Sequence, residues 1–477
     1  MDKVTYQQFG AVGDGKTDDM AAICAAHAYA NEHHLPVEAE PSSIYYIGGK
    51  DLTAVIQTNT NWKNAQFIID DRDVENRGQV LFSIPARYEE QDVDIKSVKR
   101  GQKTMALGLG YDAIISVKDE TRFNYIRMGV NASKGTALRD TFLLTKEGDI
   151  LNRIMWDYPS LTSAKAKKIE EEPLLVEGGY FITLANQMPS FYTYFSRNIA
   201  VARSRVTLSG ITHRMEGEGE QGAPYAGFIS AHGCAYFRLE NCSLTGHKIY
   251  YTQGQGGMSP MGSYDISLGS TLFATLSSVT QVPSIMDSTR WGLMGSNFCK
   301  NITLENCEMS RFDAHMGVTD SVVKGCKLGW QCVHAIGEGD FLVEDTEIFG
   351  HSVVNLRYDY GGHWEGKLTV RNCVWHPAGE EPSVLWGHNP GTHDFGYVCK
   401  MPETLEIDGL RIADSDKPLR NLAFLGDYCD TSHEDKPYPY HPTKALRYRG
   451  VTVDSGKDIL ICRNAALYPN LDVICED

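Results

Sequence analysis

The sequence lacks any excess of positive charge. Its 45 lysine and arginine residues stand against 61 aspartate and glutamate residues, so the formal net charge is −16 at pH 7. No basic run of the kind that follows a phosphate backbone occurs, and an acidic chain repels nucleic acid and anionic membrane surfaces. We therefore expect no nucleic-acid partner and no membrane partner.

Long apolar runs are also missing. The first ten residues, MDKVTYQQFG, contain no apolar core of a signal peptide, and no uninterrupted apolar segment of about 18 residues follows. The sequence thus predicts a cytoplasmic chain without a membrane span.

The 12 cysteines form no Cys-x-x-Cys pair and no Cys/His cluster at zinc-ligand spacing. We expect no metal site and no cofactor. In a chain of this length without an export signal, the cysteines are predicted to be reduced and packed as small core residues.

What the sequence does contain is a repeat. The runs FRLENCSL, ITLENCEM, SVVKGCKL, FLVEDTEI and LTVRNCVW align so that Cys242, Cys307, Cys326, Thr346 and Cys373 share one position. The interval is 19 residues from Cys307 to Cys326 and 20 from Cys326 to Thr346, which is typical of solenoids. A central Asn or Gly in most runs suits a sharp bend. Stacked coils are therefore predicted, with these side chains in an inward ladder.

The segment FGAVGDGKTDDMAAICAAHAYAN, residues 9–31, resembles the opening motif of pectate-lyase-like, right-handed parallel β-helix proteins. This superfamily includes polygalacturonase-type glycosidases, polysaccharide lyases, alginate C5-epimerases and phage tailspikes. The resemblance implies an all-β, right-handed parallel β-helix solenoid with an N-terminal cap helix. Asp14, Asp18 and Asp19 suit the turn and the first turn of that helix, so a structural role is expected for them.

The repeat divides the chain into three predicted segments. Residues 1–90 hold the cap helix and the first coils. Residues 91–175 break the pattern with charged and hairpin-like stretches, which predicts an inserted β-rich module. Residues 176–477 form the main parallel β-helix and carry the active-site groove.

The stretch SRFDAHMGVTD, residues 310–320, concentrates titratable groups between two predicted coils, as in an exposed turn. Neighbouring coils are expected to bring further polar residues to the same groove. We predict the catalytic residues Asp313, Asp320, Asp340 and His315.

Histidines and aromatic residues concentrate in the last third of the chain. Flat rings beside polar groups suit a sugar, so an oligosaccharide or polysaccharide is the predicted partner. The predicted substrate-binding residues are Arg311, Glu338, His351, Arg357, Tyr358, Trp364, Trp386 and His393.

Glycoside hydrolysis is the first predicted reaction, with Asp313 and Asp320, or Asp340 or Glu338 from the next coil, as the carboxylate pair. The polygalacturonase elements GHG and RIK are absent, although GVTD and GEGD are similar to two others. Lacto-N-biosidase-like glycosidases remain an alternative. In either case, Asp313→Asn is expected to lower turnover by several orders of magnitude and leave the melting temperature close to that of the parent chain.

Two other functions stay open. RFDAH is similar to the FDPH element of alginate C5-epimerases, with Asp313 and His315 on its aspartate and histidine, which implies a polysaccharide lyase or uronate C5-epimerase. A non-enzymatic glycan-binding or tailspike-like module is the third possibility, because the same solenoid serves all of these roles.

Overall fold

The structure is a computed structural model that describes residues 2–190, 193–254, 257–389, 391–415, 421–427 and 440–476. The chain forms two compact units. The first comprises Met1–Glu89 and Lys168–Met294, and the second comprises Glu90–Lys167 and Gly295–Asp477. The division into three domains with boundaries at residues 90 and 175 stays a prediction. No helix within the described ranges is long and apolar enough to cross a membrane.

The described part of the first unit contains strands and one α-helix. The helix is Met20–His33, and a 3-10 turn precedes it at Tyr6–Phe9. The strands are Val4–Thr5, Asp14–Asp18, Val37–Glu38, Ile44–Ile47, Ala54–Val55, Thr60–Asp70, Phe82–Ile84, Leu174–Leu184, Ile199–Val201, Val206–Ser209, Thr212–Glu216, Ala226–His232, Arg238–Glu240, Ser243–Thr245, His247–Lys248, Tyr250–Gly254, Gly257–Met261, Tyr264–Gly269, Thr275–Ser277, Thr280–Val282 and Arg290–Gly292.

Strands of successive coils pair in parallel in this unit. Strand Thr60–Asp70 pairs with Leu174–Leu184, which in turn pairs with Val206–Ser209 and Thr212–Glu216. Aligned inward side chains then stack, as Phe67 and Phe181 do at 4.7 Å between ring centroids. The alternation of buried and exposed residues along each strand produces this stacking.

The cap helix is held by the acidic residues of the opening motif. The carboxylate of Asp19 accepts hydrogen bonds from the backbone N–H groups of Val12 (2.7 Å) and Gly13 (3.1 Å). Asp14 accepts from the N–H groups of Lys16 and Thr17. These bonds fix the turn before the helix, in line with the structural role expected from the sequence.

A buried polar network lies in the first unit. Asp265 accepts hydrogen bonds from His213 Nδ1 (2.8 Å) and His247 Nε2 (2.7 Å), and Glu218 lies 3.1 Å from His247 Nδ1. Burial alone would lower the pKa of His247, but Asp265 and Glu218 outweigh burial and raise it to about 9. His247 is therefore a buried cation at neutral pH.

The second unit contains the most regular coils. Its 3-10 turns are Tyr358–Tyr360 and Ala465–Leu467. Its strands are Gln91–Asp92, Ala113–Asn124, Thr136–Leu144, Ser163–Lys168, Met294–Asn297, Lys300–Glu305, Glu308–Met309, Phe312–Lys324, Lys327–Leu328, Val333–Glu344, Glu347–Gly350, Ser352–Leu356, Trp364–Pro377, Ser383–Gly387, Thr404–Ile412, Ala423–Leu425, Ala445–Val453, Leu460–Cys462 and Asp472–Cys475.

The predicted inward ladder is present in this unit. Cys307, Cys326, Thr346 and Cys373 are buried, and the backbone N–H of each of the first two lies against the side chain of the next ladder residue. The residue before each ladder position has a positive φ: Asn306, Gly325, Asp345, Asn372, Gly409 and Gly450. At Gly325 a Cβ atom would lie 2.6 Å from Asn306 Oδ1, so a larger residue there would require the Asn306 side chain to move. These are the bends that the repeat predicts.

The inserted segment forms its own antiparallel sheet. Strand Thr136–Leu144 pairs with Ala113–Asn124, and Ser163–Lys168 pairs with Gln91–Asp92. A separate apolar core that includes Ile115, Phe142 and Tyr158 supports it. Residues on and beside this sheet reach the coils of the same unit, where they help to build the site described next.

Candidate functional site

The segment 310–320 is not the exposed turn expected from the sequence. Residues Phe312–Lys324 form one strand, and Asp313 is 0% exposed. Its neighbours Phe312 and Ala314 are buried core residues, so Asp313 lies on the opposite face of the strand.

Two arginines hold Asp313. Arg311 Nη2 donates to Asp313 Oδ2 at 2.9 Å, and Arg357 Nη1 lies 3.6 Å from Oδ1. Burial raises the pKa of Asp313, but Arg311 and Arg357 outweigh burial and leave the pKa below its ordinary value. Asp313 is therefore an ionised, ion-paired carboxylate, and its role as a nucleophile or base stays a prediction.

A second aspartate extends this arrangement. Asp359 accepts hydrogen bonds from Arg357 Nε (3.2 Å) and Nη2 (2.9 Å), and Arg127 Nη2 lies 2.8 Å from it. Arg127 belongs to the inserted segment. We call the group of Arg127, Arg311, Asp313, His315, His334, Arg357 and Asp359 the arginine–histidine cluster. Three arginines face two aspartates in it.

The two histidines of the cluster are neutral. Burial and Arg357 lower the pKa of His315 to about 3, and burial and Arg311 lower that of His334 to about 3. His315 Nδ1 lies 2.7 Å from Asn297 Oδ1, an acceptor, so His315 carries its proton on Nδ1 and has its lone pair on Nε2. His334 Nε2 accepts from Asn355 Nδ2 at 3.4 Å. Both imidazoles are half-buried.

Successive coils continue a row of polar and aromatic residues from Asp313. In parallel register, Asp313 pairs with His334, His334 with Asn355, and Asn355 with Trp386. Trp386 is half-buried, and the exposed His351 contacts it edge to face at 5.8 Å between centroids. Adjacent coils are separated by about 4.8 Å. The row therefore offers hydrogen-bonding groups and one ring along the stacking direction.

Asp320 and Asp340 are brought together, but an arginine lies between them. Arg153 Nη2 contacts Asp320 Oδ1 at 3.1 Å and Asp340 Oδ2 at 2.7 Å. Asp320 has a positive φ of 52° and accepts the N–H of Asp340 at 2.8 Å. Each carboxylate of the expected catalytic pair is thus ion-paired with an arginine: Asp313 with Arg311, and Asp320 and Asp340 with Arg153. The Asp340 side chain is nevertheless 64% exposed.

Glu338 lies elsewhere in the unit, in a small polar recess of about 20 Å³. Tyr125 OH donates to Glu338 Oε1 at 2.5 Å. Asp140 lines the same recess and is ion-paired with Lys300. Burial raises the pKa of Asp140, although Lys300 opposes this. We call this group the carboxylate recess; its volume suits about one water molecule.

The remaining predicted substrate-binding residues divide by exposure. Trp364 is 1% exposed, and its Nε1 donates a hydrogen bond to the backbone oxygen of Gly339. It is therefore a core residue, and the prediction that it contacts a sugar is wrong. His393 is half-buried, with Nε2 3.3 Å from Ile126 O. Tyr358 is 52% exposed. Around the cluster, Tyr358, Trp386 and His351 are the accessible rings from the predicted set.

Sequence reasoning missed the contributions of the inserted segment. Arg127, Arg153, Tyr125 and Asp140 all come from it, and each contacts a residue of the coils or lines a recess with one. The sequence gives a signal for Asp140, which is a polar residue at an inward position of the hairpin-like strand TALRDTFLL. In the part of the chain that the structure describes, no three or more His, Cys, Asp or Glu side chains are placed to hold a metal ion.

The parallel coils, the inward ladder and the cap helix define a parallel β-helix, which confirms the predicted fold class. No protein-family model and no curated protein sequence matches the chain.

Solved structures do match, and three of them are phage tailspikes. The tailspike protein gp49 from Pseudomonas phage LKA1 is 14% identical with a TM-score of 0.59, over 99% of this chain and 84% of that one. The gp54 tailspike of Acinetobacter baumannii bacteriophage AP22, in complex with A. baumannii capsular saccharide, is 9% identical with a TM-score of 0.52, over 99% and 79%. The Pseudomonas phage phi297 tailspike gp61 is 12% identical with a TM-score of 0.50, over 99% and 84%. At these identities the likeness establishes the fold alone.

Proposed function

We propose that the chain is a carbohydrate-active enzyme that removes the C5 proton of a uronic acid residue, as a polysaccharide lyase or a C5-epimerase does. The observation that carries this proposal is the neutral, half-buried imidazole of His315 in a cluster where three arginines face two aspartates. The imidazole is free to accept a proton, and a bound substrate carboxylate adds a negative charge that raises the low pKa of His315 and so strengthens it as a base.

The residues divide the work as follows. Arg127 and Arg357, the more accessible arginines of the cluster, neutralise the substrate carboxylate, which makes the adjacent C5 proton more acidic. His315 takes that proton on Nε2, because Nδ1 is engaged with Asn297. The electron pair left on C5 then either expels the oxygen at C4, giving an unsaturated sugar and a protonated leaving group, or accepts a proton on the other face, giving the epimer. In the elimination, His315 returns its proton to the leaving oxygen; in the epimerisation, water supplies the proton on the other face, because His334 is itself neutral.

Two further observations support a glycan substrate. The cluster carries an excess positive charge in a chain whose net charge is −16, so the site attracts an anionic group that the rest of the chain repels. The AP22 tailspike, which shares the fold, is in complex with a capsular saccharide. The row from Asp313 to Trp386 supplies hydrogen bonds and a ring for neighbouring sugar units.

Glycoside hydrolysis, the reaction favoured from the sequence, is a second candidate, with a different carboxylate pair. Asp140 and Glu338 line one recess, and burial raises the pKa of Asp140, as a general acid requires. In this reaction Asp140 protonates the leaving oxygen and Glu338 acts as base or nucleophile. The small volume of the recess is why we rank it second.

The test is incubation of the purified chain with neutral and uronic oligosaccharides, with products read by mass and ultraviolet absorbance. We expect an unsaturated product, or unchanged mass with altered stereochemistry, from uronic substrates only. His315→Gln should lower the rate by about 10²–10⁴-fold. The matched control, His376→Gln, changes a half-buried histidine that pairs with Glu347 outside the cluster and should keep full activity.

Other results separate the alternatives. A gain of water that is lost in Glu338→Gln and retained in His315→Gln would establish hydrolysis and overturn proton abstraction at His315. Saturable glycan binding without any product would favour the non-enzymatic module.

A further inference from the structure

The first unit contains a large polar cleft that the proposed function does not use. Its volume is about 750 Å³, within the range of small-molecule sites. It lies where the end of the cap helix meets the first coils, and His34, Thr58, Asn59, Arg87, Leu174 and Arg203 are among its lining residues. All of its lining residues belong to the first unit.

Arg203 is the unusual member of this lining. It is 1% exposed, and Nη2 donates to the backbone oxygen of Glu172 at 2.8 Å. Among the described residues, Nε and Nη1 have no hydrogen-bond partner, and no carboxylate lies within 4 Å of the guanidinium. A buried cation with unused donors is costly to a fold unless a ligand or water satisfies it.

The nearby charged groups do not satisfy the free donors of Arg203. The carboxylate of Glu170 is engaged by the N–H groups of Arg87 (2.8 Å) and Ser204 (2.9 Å). Burial and Arg87 lower the pKa of Arg203, although Glu170 and Glu172 act in the opposite direction. Glu170 and Glu172, the carboxylates that act on Arg203, thus form no ion pair with its guanidinium among the described residues.

Two other lining groups add to the site. Arg87 has one ion pair among the described residues, to Glu172 at 3.3 Å, and the Glu172 side chain is 77% exposed, so solvent weakens this pair. The buried hydroxyl oxygen of Thr58 has no hydrogen-bond partner in the described chain. Pro36, Pro173 and Leu174 supply apolar surface beside these polar groups.

We propose that this cleft binds a hydroxylated small-molecule anion, such as a sugar phosphate. Arg87 and Arg203 supply the positive charge for the anionic group, since Arg203 lines the cleft and its Nε and Nη1 have no hydrogen-bond partner among the described residues. Thr58 and the neighbouring amides take hydroxyl groups, and the volume accommodates a sugar ring in addition to the anion. The site is independent of the arginine–histidine cluster, because no residue is shared.

Isothermal titration of the full chain at low salt tests this site, with glucose 6-phosphate as the probe and glucose and inorganic phosphate as comparisons. We expect glucose 6-phosphate to bind at least tenfold more tightly than either comparison, and its affinity to fall as salt is added. Equal affinity for glucose would overturn the role of the arginines. Equal affinity for inorganic phosphate would overturn the role of the hydroxyl-binding groups.

Variants locate the binding. Arg87→Gln should weaken binding of glucose 6-phosphate at least fivefold, and Thr58→Val should weaken it to a lesser degree. The matched control is Arg238→Gln, which alters a half-exposed arginine of the same unit that pairs with Glu240. His315→Gln should leave this binding unchanged. Loss of binding in the control, or in His315→Gln but not in Arg87→Gln, would place the ligand elsewhere and overturn the inference.

Discussion

The Nδ1 atom of His315 lies 2.7 Å from the Oδ1 atom of Asn297, which belongs to the preceding coil of the same unit. This contact sets the tautomer of the imidazole and so decides which nitrogen can accept a proton. Asn297 is thus a positioning residue for the proposed base, although it was not among the residues predicted from the sequence.

Replacing this neutral acceptor by a charged one should move the acid limb of the pH profile. In Asn297→Asp the new carboxylate favours the imidazolium form, so the pKa of His315 rises from about 3. A base must be neutral to act, and the loss of kcat/KM on acidification should therefore begin at a higher pH than in the parent chain. The pH dependence of kcat/KM measures this. Asn372→Asp, at a bend position outside the cluster, should leave the profile unchanged; a shift there as well would remove the assigned role of Asn297.

Removing the charge of Asp313 should destabilise the fold, contrary to the nearly unchanged melting temperature expected from the sequence. Asp313→Asn leaves Arg311 and Arg357 without one buried counter-charge, and breaking a buried ion pair costs about 3–5 kcal/mol. Urea unfolding measures the difference. Asp408→Asn, which breaks an exposed pair with Arg449, should cost less than about 1 kcal/mol. Equal losses in the two variants would mean that Asp313 is solvated.

The inward ladder predicts slow thiol chemistry. Cys307, Cys326 and Cys373 are buried and Cys475 is exposed, and the described cysteines are all reduced. Under native conditions a thiol reagent should label Cys475 within minutes, while the three ladder cysteines react only when the coils open. Mass spectrometry of labelled peptides gives the rate at each site. Fast labelling of Cys307 or Cys326 would contradict an inward ladder.

The network around His247 predicts a loss of stability in alkali. The folded pKa of His247 is about 9, above the ordinary value of 6.5, so its protonation stabilises the fold fully below pH 6.5. That contribution diminishes as pH rises and is lost as pH passes 9. Melting temperatures from pH 6 to 10 should fall over this window, and the fall should be smaller in His247→Gln. An unchanged alkaline slope in the variant would exclude His247 as its source.

The hydrogen bonds of Asp19 predict a structural role for the opening motif. Asp19→Ala leaves the N–H groups of Val12 and Gly13 without their acceptor, at a cost of about 1–3 kcal/mol. Turnover per folded molecule should not change. Asp73→Ala, at an exposed position of the same unit, is the control and should be neutral. A large loss of turnover with an unchanged melting temperature would instead make Asp19 part of a site.

Much of the fold was accessible from the sequence because its causes are local. The apolar alternation and the bend residue before Cys307, Cys326 and Cys373 act within eight residues, so the coils and the ladder could be predicted. The cap helix, which buries one face, followed from a short motif in the same way.

The site was only partly accessible, because its environment comes from distant segments. Asp313 and His315 were predicted as neighbours, but the burial of Asp313 depends on Arg357, on another coil, and the cluster is completed by Arg127 of the inserted segment. Trp364 could not be assigned to the core from composition, since its exposure depends on the register with the coil of Gly339. Register between coils of unequal length is not encoded in any short pattern.

The column of bend residues from Asn306 to Gly450 has a consequence for how such a chain changes over evolution. The bends stay aligned although the coils differ in length. Cys307 and Cys326, on adjacent coils, are 19 residues apart, whereas Asp408 and Arg449, also on adjacent coils, are 41 residues apart. Insertions therefore lie on the other sides of each coil, while the bend residues of successive coils remain aligned. A loop can grow, shrink or be exchanged on one coil while the residues of the neighbouring coils keep their places.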